Sequence, residues 1–380
     1  MSSDDGPRGI GRIGLVLPTG AWDRPGDGEA AADRVDRSDR ADRSHGFDVL
    51  AGLARHAKRA GFDGLWVDDL AGGRPPDARG LPREPQHPHG GELDRVNAGP
   101  EACSVLGALA MITDRPSLGA LVADPFRRHP STLAKQMTTV DVVAHGRALL
   151  GIAPPAPPGR PGLPASSAGP TPVRGEEEEA QARFAEVLRV ARSLFTDDAP
   201  TWSGRWYRLA GAANRPRPVR AGGCPILVGP VATAADPSGS FPGRRTGDGD
   251  RGGSQADGLE PAARWADGVI FAGGADAVAP AVDRLARHCR RVGRDVSELT
   301  LLWTGEVEVA SSLDVELRRM VDAGIQAFAV RITARTARSA ATGSARAAAC
   351  PDLGDVTAVA GVLRAVVGGL GATGRPAGGY

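Results

Sequence analysis

The stretch His129-Pro-Ser-Thr-Leu-Ala-Lys-Gln-Met-Thr-Thr-Val-Asp-Val-Val-Ala-His-Gly-Arg-Ala-Leu-Leu-Gly-Ile152 contains one whole structural unit of this chain. Pro130 suits the first turn of a helix, where its missing N–H is not needed. Leu133, Met137 and Val140 then recur at helical spacing. Gly146 suits the left-handed residue that ends a helix. Ala148–Ile152 follows as an apolar run without alternation, the pattern of a parallel strand buried on both faces. The unit reads helix, tight turn, buried strand.

The same unit recurs in both directions. Apolar runs occur at Arg12–Leu17, Gly64–Asp68, Ser117–Val122, Pro225–Gly229, Gly268–Ala272, Leu299–Val309 and Ala327–Ile332. Amphipathic stripes stand between them, including Phe184, Val187, Leu188, Ala191, Leu194 and Phe195, and Val282, Leu285, Cys289 and Val292. A last stripe, Val356, Val359, Val362, Leu363, Val366 and Val367, supplies a final helix over residues 355–370. A strand–helix unit repeated eight times closes into one α/β architecture, the (β/α)8 TIM barrel.

Connection lengths orient this barrel. The turns Gly61–Asp63, Asp114–Pro116, Ala144–Arg147 and Ala323–Gln326, from helix to strand, are short. The segments leaving strands are long, with insertions near residues 23–46, 71–100, 154–175 and 231–258. Segments that leave strands gather on the C-terminal face, where barrel chemistry is built. Thr196–Cys224 is the exception, a long helix-to-strand excursion with Trp202, Trp206 and Tyr207. The barrel spans residues 10–332, preceded by a tail at 1–9 and followed by a low-complexity tail from 333. The Pro- and Gly-rich insertions lack the apolar area needed for a core and are expected to be flexible. Glu176–Glu179 form an acidic first helical turn, favoured by the helix dipole.

With 380 residues and 41% hydrophobic content, the chain can bury one large core. A net charge of +1 and 4% aromatic content offer no footprint for nucleic acid. No apolar run approaches the roughly 20 residues that span a bilayer, and the N-terminus lacks a signal-peptide pattern. A cytoplasmic protein acting on a small-molecule substrate, away from membranes, is expected. Cys103, Cys224, Cys289 and Cys350 show no metal spacing, so no metal site is expected. Basic residues are nearly all arginine, the composition of a GC-rich bacterial genome.

Candidate chemistry sits at strand ends. Asp68 and Asp69 emerge from the second strand, and a carboxylate there can act as a general base or orient a neighbour; Asp69 is the preferred acid–base candidate. His87-Pro-His89 has the look of a paired metal ligand but lies in a loop between prolines, where ligands are poorly fixed. His129 is placed to cap its helix. Gly151 and the Gly229-Pro230 pair end strands where backbone can approach a ligand closely.

Several blocks, in order, resemble the luciferase-like flavin-dependent monooxygenases. They are Gly61-Phe-Asp-Gly-Leu-Trp-Val, Leu118-Gly-Ala-Leu-Val, the His129–Ile152 stretch with Asp141 and Gly146-Arg147, Arg205-Trp-Tyr-Arg-Leu, Arg217-Pro218 with Pro225-Ile-Leu-Val-Gly, and Ala262-Ala-Arg-Trp-Ala-Asp-Gly. That family, which includes bacterial luciferase and oxidoreductases using coenzyme F420, is built on the same barrel. The resemblance implies an oxidoreductase or monooxygenase that binds FMN or F420, with a slight preference for F420, and acts on a small organic substrate. It places the cofactor ring against Ala120, Leu121 and Val122, on a strand that often holds a non-proline cis peptide in relatives. The phosphate is placed near Gly151, Ile152 and Ala153 and near Gly229, Pro230 and Val231. A homodimer, or a heterodimer with a related barrel, is implied as well.

Three positions differ from the family pattern. Leu70 stands where relatives carry His, Ala153-Pro154-Pro155 replaces a Gly-x-Gly turn, and an insertion follows Gly229-Pro230. Proline removes N–H groups that would hold a phosphate. The alternative expectation is therefore a catalytically degenerate barrel that serves as a binding or partner subunit.

Overall fold

The computed structural model describes residues 10, 12–18, 38–69, 100–155, 176–232, 258–307, 312–332 and 353–368. Eight parallel strands form a closed barrel: β1 (Ile13–Val16), β2 (Gly64–Asp69), β3 (Ser117–Ala123), β4 (Ala148–Ile152), β5 (Ile226–Ala232), β6 (Gly268–Ala272), β7 (Thr300–Val307) and β8 (Ala327–Ile332). Each strand pairs with its neighbours in sequence, and β1 closes the ring by pairing with both β2 and β8. All eight runs read from the sequence are strands, and the (β/α)8 architecture stands as expected.

The helices among the described residues are α1 (Ser38–Ala60), α2 (Ala102–Ile112), α3 (Pro130–Val143), α4 (Glu176–Thr196), α5 (Leu259–Trp265), α6 (Ala275–Arg291), α7 (Leu313–Asp322) and α8 (Leu353–Val367). None is long and apolar enough to cross a membrane. His129 caps α3, accepting from the Ser131 N–H at 3.2 Å, and Pro130 opens the helix. Gly146 takes the left-handed conformation at φ 86°. The Thr196–Cys224 excursion carries a small antiparallel hairpin, Trp202–Ser203 on Arg208–Leu209. Buried Glu186 of α4 pins it, accepting from Trp202 Nε1 at 3.1 Å and the Tyr207 N–H at 2.8 Å. The family-like block at 205–209 is thus a structural clasp.

Acids fix the strand starts on the N-terminal face. Asp63 accepts from the Ile13 N–H at 2.7 Å. Asp141 accepts from Ala148 and Val219 at 3.3 and 2.8 Å, and Asp267 from Ile226 at 2.9 Å. Each meets a backbone N–H that the start of a strand or a loop would leave without a carbonyl partner. Arg147 does the complementary task, donating to the carbonyls of Thr113, Pro116 and Ala144 at 2.7–2.8 Å.

Two apolar layers make the core. One lies between strands and helices; the other fills the bore with Val16, Trp66, Leu121, Leu149, Leu227, Ile270, Leu302 and Ala329. Trp66 is 1% exposed, and glycines surround its indole. A Cβ at Gly14 would stand 2.4 Å from Trp66 Nε1, and one at Gly119 would stand 2.1 Å from the ring. The large residue of β2 fits because β1 and β3 present no side chain beside it.

Gly119→Ala is therefore expected to lower unfolding free energy by about 1–3 kcal/mol through overpacking. The pair Gly119→Ala with Trp66→Leu should lose less than the sum of the two single changes, since each relieves the other's misfit. Denaturant unfolding of the four proteins checks this; additive losses would place the indole elsewhere.

Candidate functional site at the C-terminal mouth

The phase of β2 decides which acid faces the mouth. Side chains alternate along a strand, and Trp66 lies in the bore while Val67 packs toward the helices. Asp68 consequently faces the bore and Asp69 the helical layer. Asp68 accepts two hydrogen bonds from Arg331 Nη2, at 2.7 and 2.6 Å, from across β1. Arg331 shares the bore-facing phase with Ala327 and Ala329 and is in register with Glu306 of β7. Below them on β7, Thr304 is fully buried and its Oγ1 has no partner. Asp68, Arg331, Glu306 and Thr304 thus form a polar cap over the apolar bore.

Asp69, the sequence's preferred acid, is held differently. Its carboxylate is 3% exposed and forms a bidentate ion pair with Arg128, one contact measuring 3.0 Å and the other shorter. It also accepts from the Ala102 N–H at 3.3 Å. Arg128 bridges onward to Glu101 at 3.0 Å, and Glu101 caps α2 by accepting from the Ser104 N–H at 2.7 Å. Burial pushes the Glu101 carboxyl up, but the Ser104 hydrogen bonds, the Cys103 N–H and the Arg128 charge together hold it below its usual value. A carboxylate so fully committed positions α2 and the loop after β3; it does not face the mouth.

Two groups here escaped the sequence reading. Arg128 is one, and its signal was a cation just past the third strand, opposite a pair of acids. Asp124 is the other, standing directly after β3 and accepting from the Phe126 N–H at 2.8 Å. Burial pushes its carboxyl above the usual range, against the lowering pull of the Phe126 and Arg127 N–H groups. Perturbed acids at a strand end are candidates for proton transfer.

The strand ends named for the cofactor do converge. β3 loses register with β4 between Ala120 and Ala123, and with β2 between Val67 and Asp68, so Leu121 is an extra residue. Gly151 accommodates this bulge, because a Cβ there would stand 2.5 and 2.4 Å from the carbonyl oxygens of Ala120 and Leu121. β5 breaks register with β6 between Val228 and Val231, at Gly229-Pro230. Gly229 has φ 149°, and a Cβ on it would meet the Ile270 oxygen at 2.3 Å. Ala120, Leu121, Val122, Gly151, Ile152, Ala153, Gly229, Pro230 and Val231 are all buried. Among the described residues the cis peptides are Arg215–Pro216 and Gly229–Pro230, so the cis bond implied for β3 is not found; the bulge turns the strand there instead.

Donors for a phosphate are scarce at these ends. The Ala153 N–H is bonded to the Ala123 carbonyl at 3.0 Å, and Pro154, Pro155 and Pro230 have no N–H. Pro154 also packs where a Cβ on Gly258 would stand, 2.5 Å away. Among the described residues there is no cluster of three His, Cys, Asp or Glu able to hold a metal. His87, His89, Leu70 and Cys350 lie outside the described residues, as does most of each insertion. Burial pushes the Cys103 and Cys224 thiols upward, which leaves neither a ready nucleophile.

Comparison with known proteins agrees with the barrel fold. The sequence model of the luciferase-like monooxygenases matches residues 12–362. An uncharacterised Mycobacterium tuberculosis protein, Rv0953c, is 28% identical over 189 residues, which is 48% of this chain and 61% of that protein. The F420-dependent glucose-6-phosphate dehydrogenase of Amycolatopsis mediterranei is 27% identical over 194 residues, 49% of this chain and 51% of that enzyme. The matches thus span less than two thirds of these relatives. A solved F420-dependent secondary alcohol dehydrogenase, bound to an F420–acetone adduct, superposes with a TM-score of 0.58 at 15% identity, covering 84% of this chain and 95% of that one.

Removing Arg128 would leave Asp69 charged, buried and unpaired, so Arg128→Met is expected to cost about 3–5 kcal/mol. Asp69→Asn with Arg128→Met should recover part of that loss in chemical unfolding. Asp124→Asn tests the second acid. A folded-state carboxyl raised above its unfolded value contributes stability at low pH that is lost as pH rises through the raised value. Asn is neutral throughout, so the variant should gain on wild type as pH rises through the carboxylate range. Parallel pH curves would show that Asp124 is not perturbed.

Proposed function

Because the chain belongs to the luciferase-like monooxygenase family, we propose that it is an oxidoreductase that binds a flavin-type cofactor at the C-terminal mouth of the barrel, F420 in preference to FMN. The observation that carries this is the inward-facing Asp68–Arg331 pair, set beside a bulged β3 and over a buried Thr304 oxygen without a partner. The preference for F420 is supported by what the Amycolatopsis relative and the superposed dehydrogenase are named for.

The residues fit the ring of such a cofactor. Ala120, Leu121 and Val122 offer it a bulged backbone edge. Gly151, Ile152 and Ala153, with Gly229, Pro230 and Val231, make the adjoining wall. All nine are buried in the structure. They do not supply a backbone cradle for its phosphate, so the tail needs side-chain donors. When bound, the cofactor supplies or accepts the hydride. The chain's own groups then handle the oxygen of an alcohol or carbonyl substrate. Arg331 donates hydrogen bonds to that oxygen, and Asp68 takes its proton on oxidation or returns it on reduction. Asp69 acts at one remove, as a positioning residue that fixes Arg128. Assembly as a homodimer, or with a related barrel, belongs to the same proposal.

The donor shortage at Ala153–Pro155 and Pro230 favours a second reading, a barrel that has lost its cofactor and serves as a partner subunit. Fluorescence titration of the full chain with F420 and with FMN separates the two. Saturable quenching by F420 at micromolar concentration, with Arg331→Met and Asp68→Asn lowering alcohol turnover at least tenfold while binding is kept, is expected. Failure of both cofactors to bind would overturn the enzyme and leave the partner subunit.

A further inference from the structure

Two polar groups inside the bore have no protein partner among the described residues: the indole N–H of Trp66 and the hydroxyl of Thr304. Both residues are buried, at 1% and 0% exposure. A donor and an acceptor left unpaired in an apolar interior cost free energy that native folds usually avoid.

The pairing register brings the two groups together. Gly14 of β1 is opposite Ala329 of β8, and Ala329 is opposite Thr304 of β7. Val16, Leu302 and Ala329 line the bore, so strand alternation turns Gly14 and Thr304 inward as well. Gly14 has no side chain, and the indole takes that place: a Cβ there would stand 2.4 Å from Trp66 Nε1. The N–H and the hydroxyl thus flank Ala329, whose inward side is a single methyl. Neighbouring strands lie about 4.8 Å apart, so two such spacings separate Gly14 from Thr304. Shortened by the inward reach of the indole and of Thr304, that span suits a bridge of two hydrogen bonds of about 2.9 Å each. The Phe328 carbonyl oxygen is a third partner, 3.0 Å from the same Cβ position on Gly14. A carbonyl oxygen has two lone pairs and can serve a ladder N–H and a further donor together.

We infer that a single ordered water is a built-in part of the bore, bound between Trp66, Thr304 and Phe328. It accepts from the indole N–H and donates to Thr304 Oγ1 and to the Phe328 carbonyl. Three partners is the usual complement of a buried water. By holding the indole at its N–H, the water fixes the ring on which the phase of β2, and so the direction of Asp68, depends. The inference goes beyond the cofactor reading and holds for the protein without a ligand.

A crystal structure of the ligand-free full chain, at a resolution that shows ordered water, tests this. One peak is expected within about 3.2 Å of both Trp66 Nε1 and Thr304 Oγ1. Thr304→Val keeps the shape and removes the hydroxyl, which gives a second readout whose sign decides. Replacing a hydroxyl that has no partner should raise the thermal midpoint. Replacing one that anchors a water should lower the midpoint by about 2–4 °C and remove the peak, whereas Thr304→Ser keeps the peak. No peak in the wild-type bore, a direct hydrogen bond from the Trp66 indole to protein, or a Val variant that melts higher than wild type would overturn the inference.

Discussion

Trp66 fills the bore between glycines on the neighbouring strands, and that placement sets the phase of everything on β2. A strand cannot turn one side chain inward without turning its neighbours outward. The indole in the bore therefore commits Asp68 to the mouth and Asp69 to the helical layer. The first meets Arg331, the second Arg128. Two adjacent carboxylates with the same chemistry acquire opposite tasks, one capping the bore and one anchoring a helix.

The two faces of the barrel are built by different means. At the N-terminal face, Asp63, Asp141 and Asp267 meet strand N–H groups and Arg147 meets helix-end carbonyls. At the C-terminal face, bulges in β3 and β5 interrupt the ladders, and prolines remove donors. Bulges cluster where a barrel re-aims its backbone toward a ligand. The same mouth that gains these bulged backbone edges has few free amides, since the Ala153 N–H is bonded and Pro154, Pro155 and Pro230 have none.

The barrel was legible in the sequence because eight apolar runs and their connecting stripes record burial directly. So were the caps at His129 and Gly146, which depend on local chemistry. The site was only partly legible. The strand ends around Ala120–Val122, Gly151–Ala153 and Gly229–Val231 do meet at the mouth, but neither the bulge in β3 nor the bonding of the Ala153 N–H leaves a local trace. Asp68 and Asp69 could have been told apart by extending the alternation from Trp66, and Arg331 by its charge within the apolar run Ala327–Ile332. The pairings themselves join residues far apart in the chain, and only closure of the barrel brings them together.

A crystal structure of the protein soaked with F420 tests the central claim most directly. The account predicts a planar ring at the C-terminal mouth, against Ala120–Val122 and within hydrogen-bonding distance of the Asp68–Arg331 pair. A ring bound elsewhere, or one stacked beside Asp69 with Asp68 turned away, would contradict it.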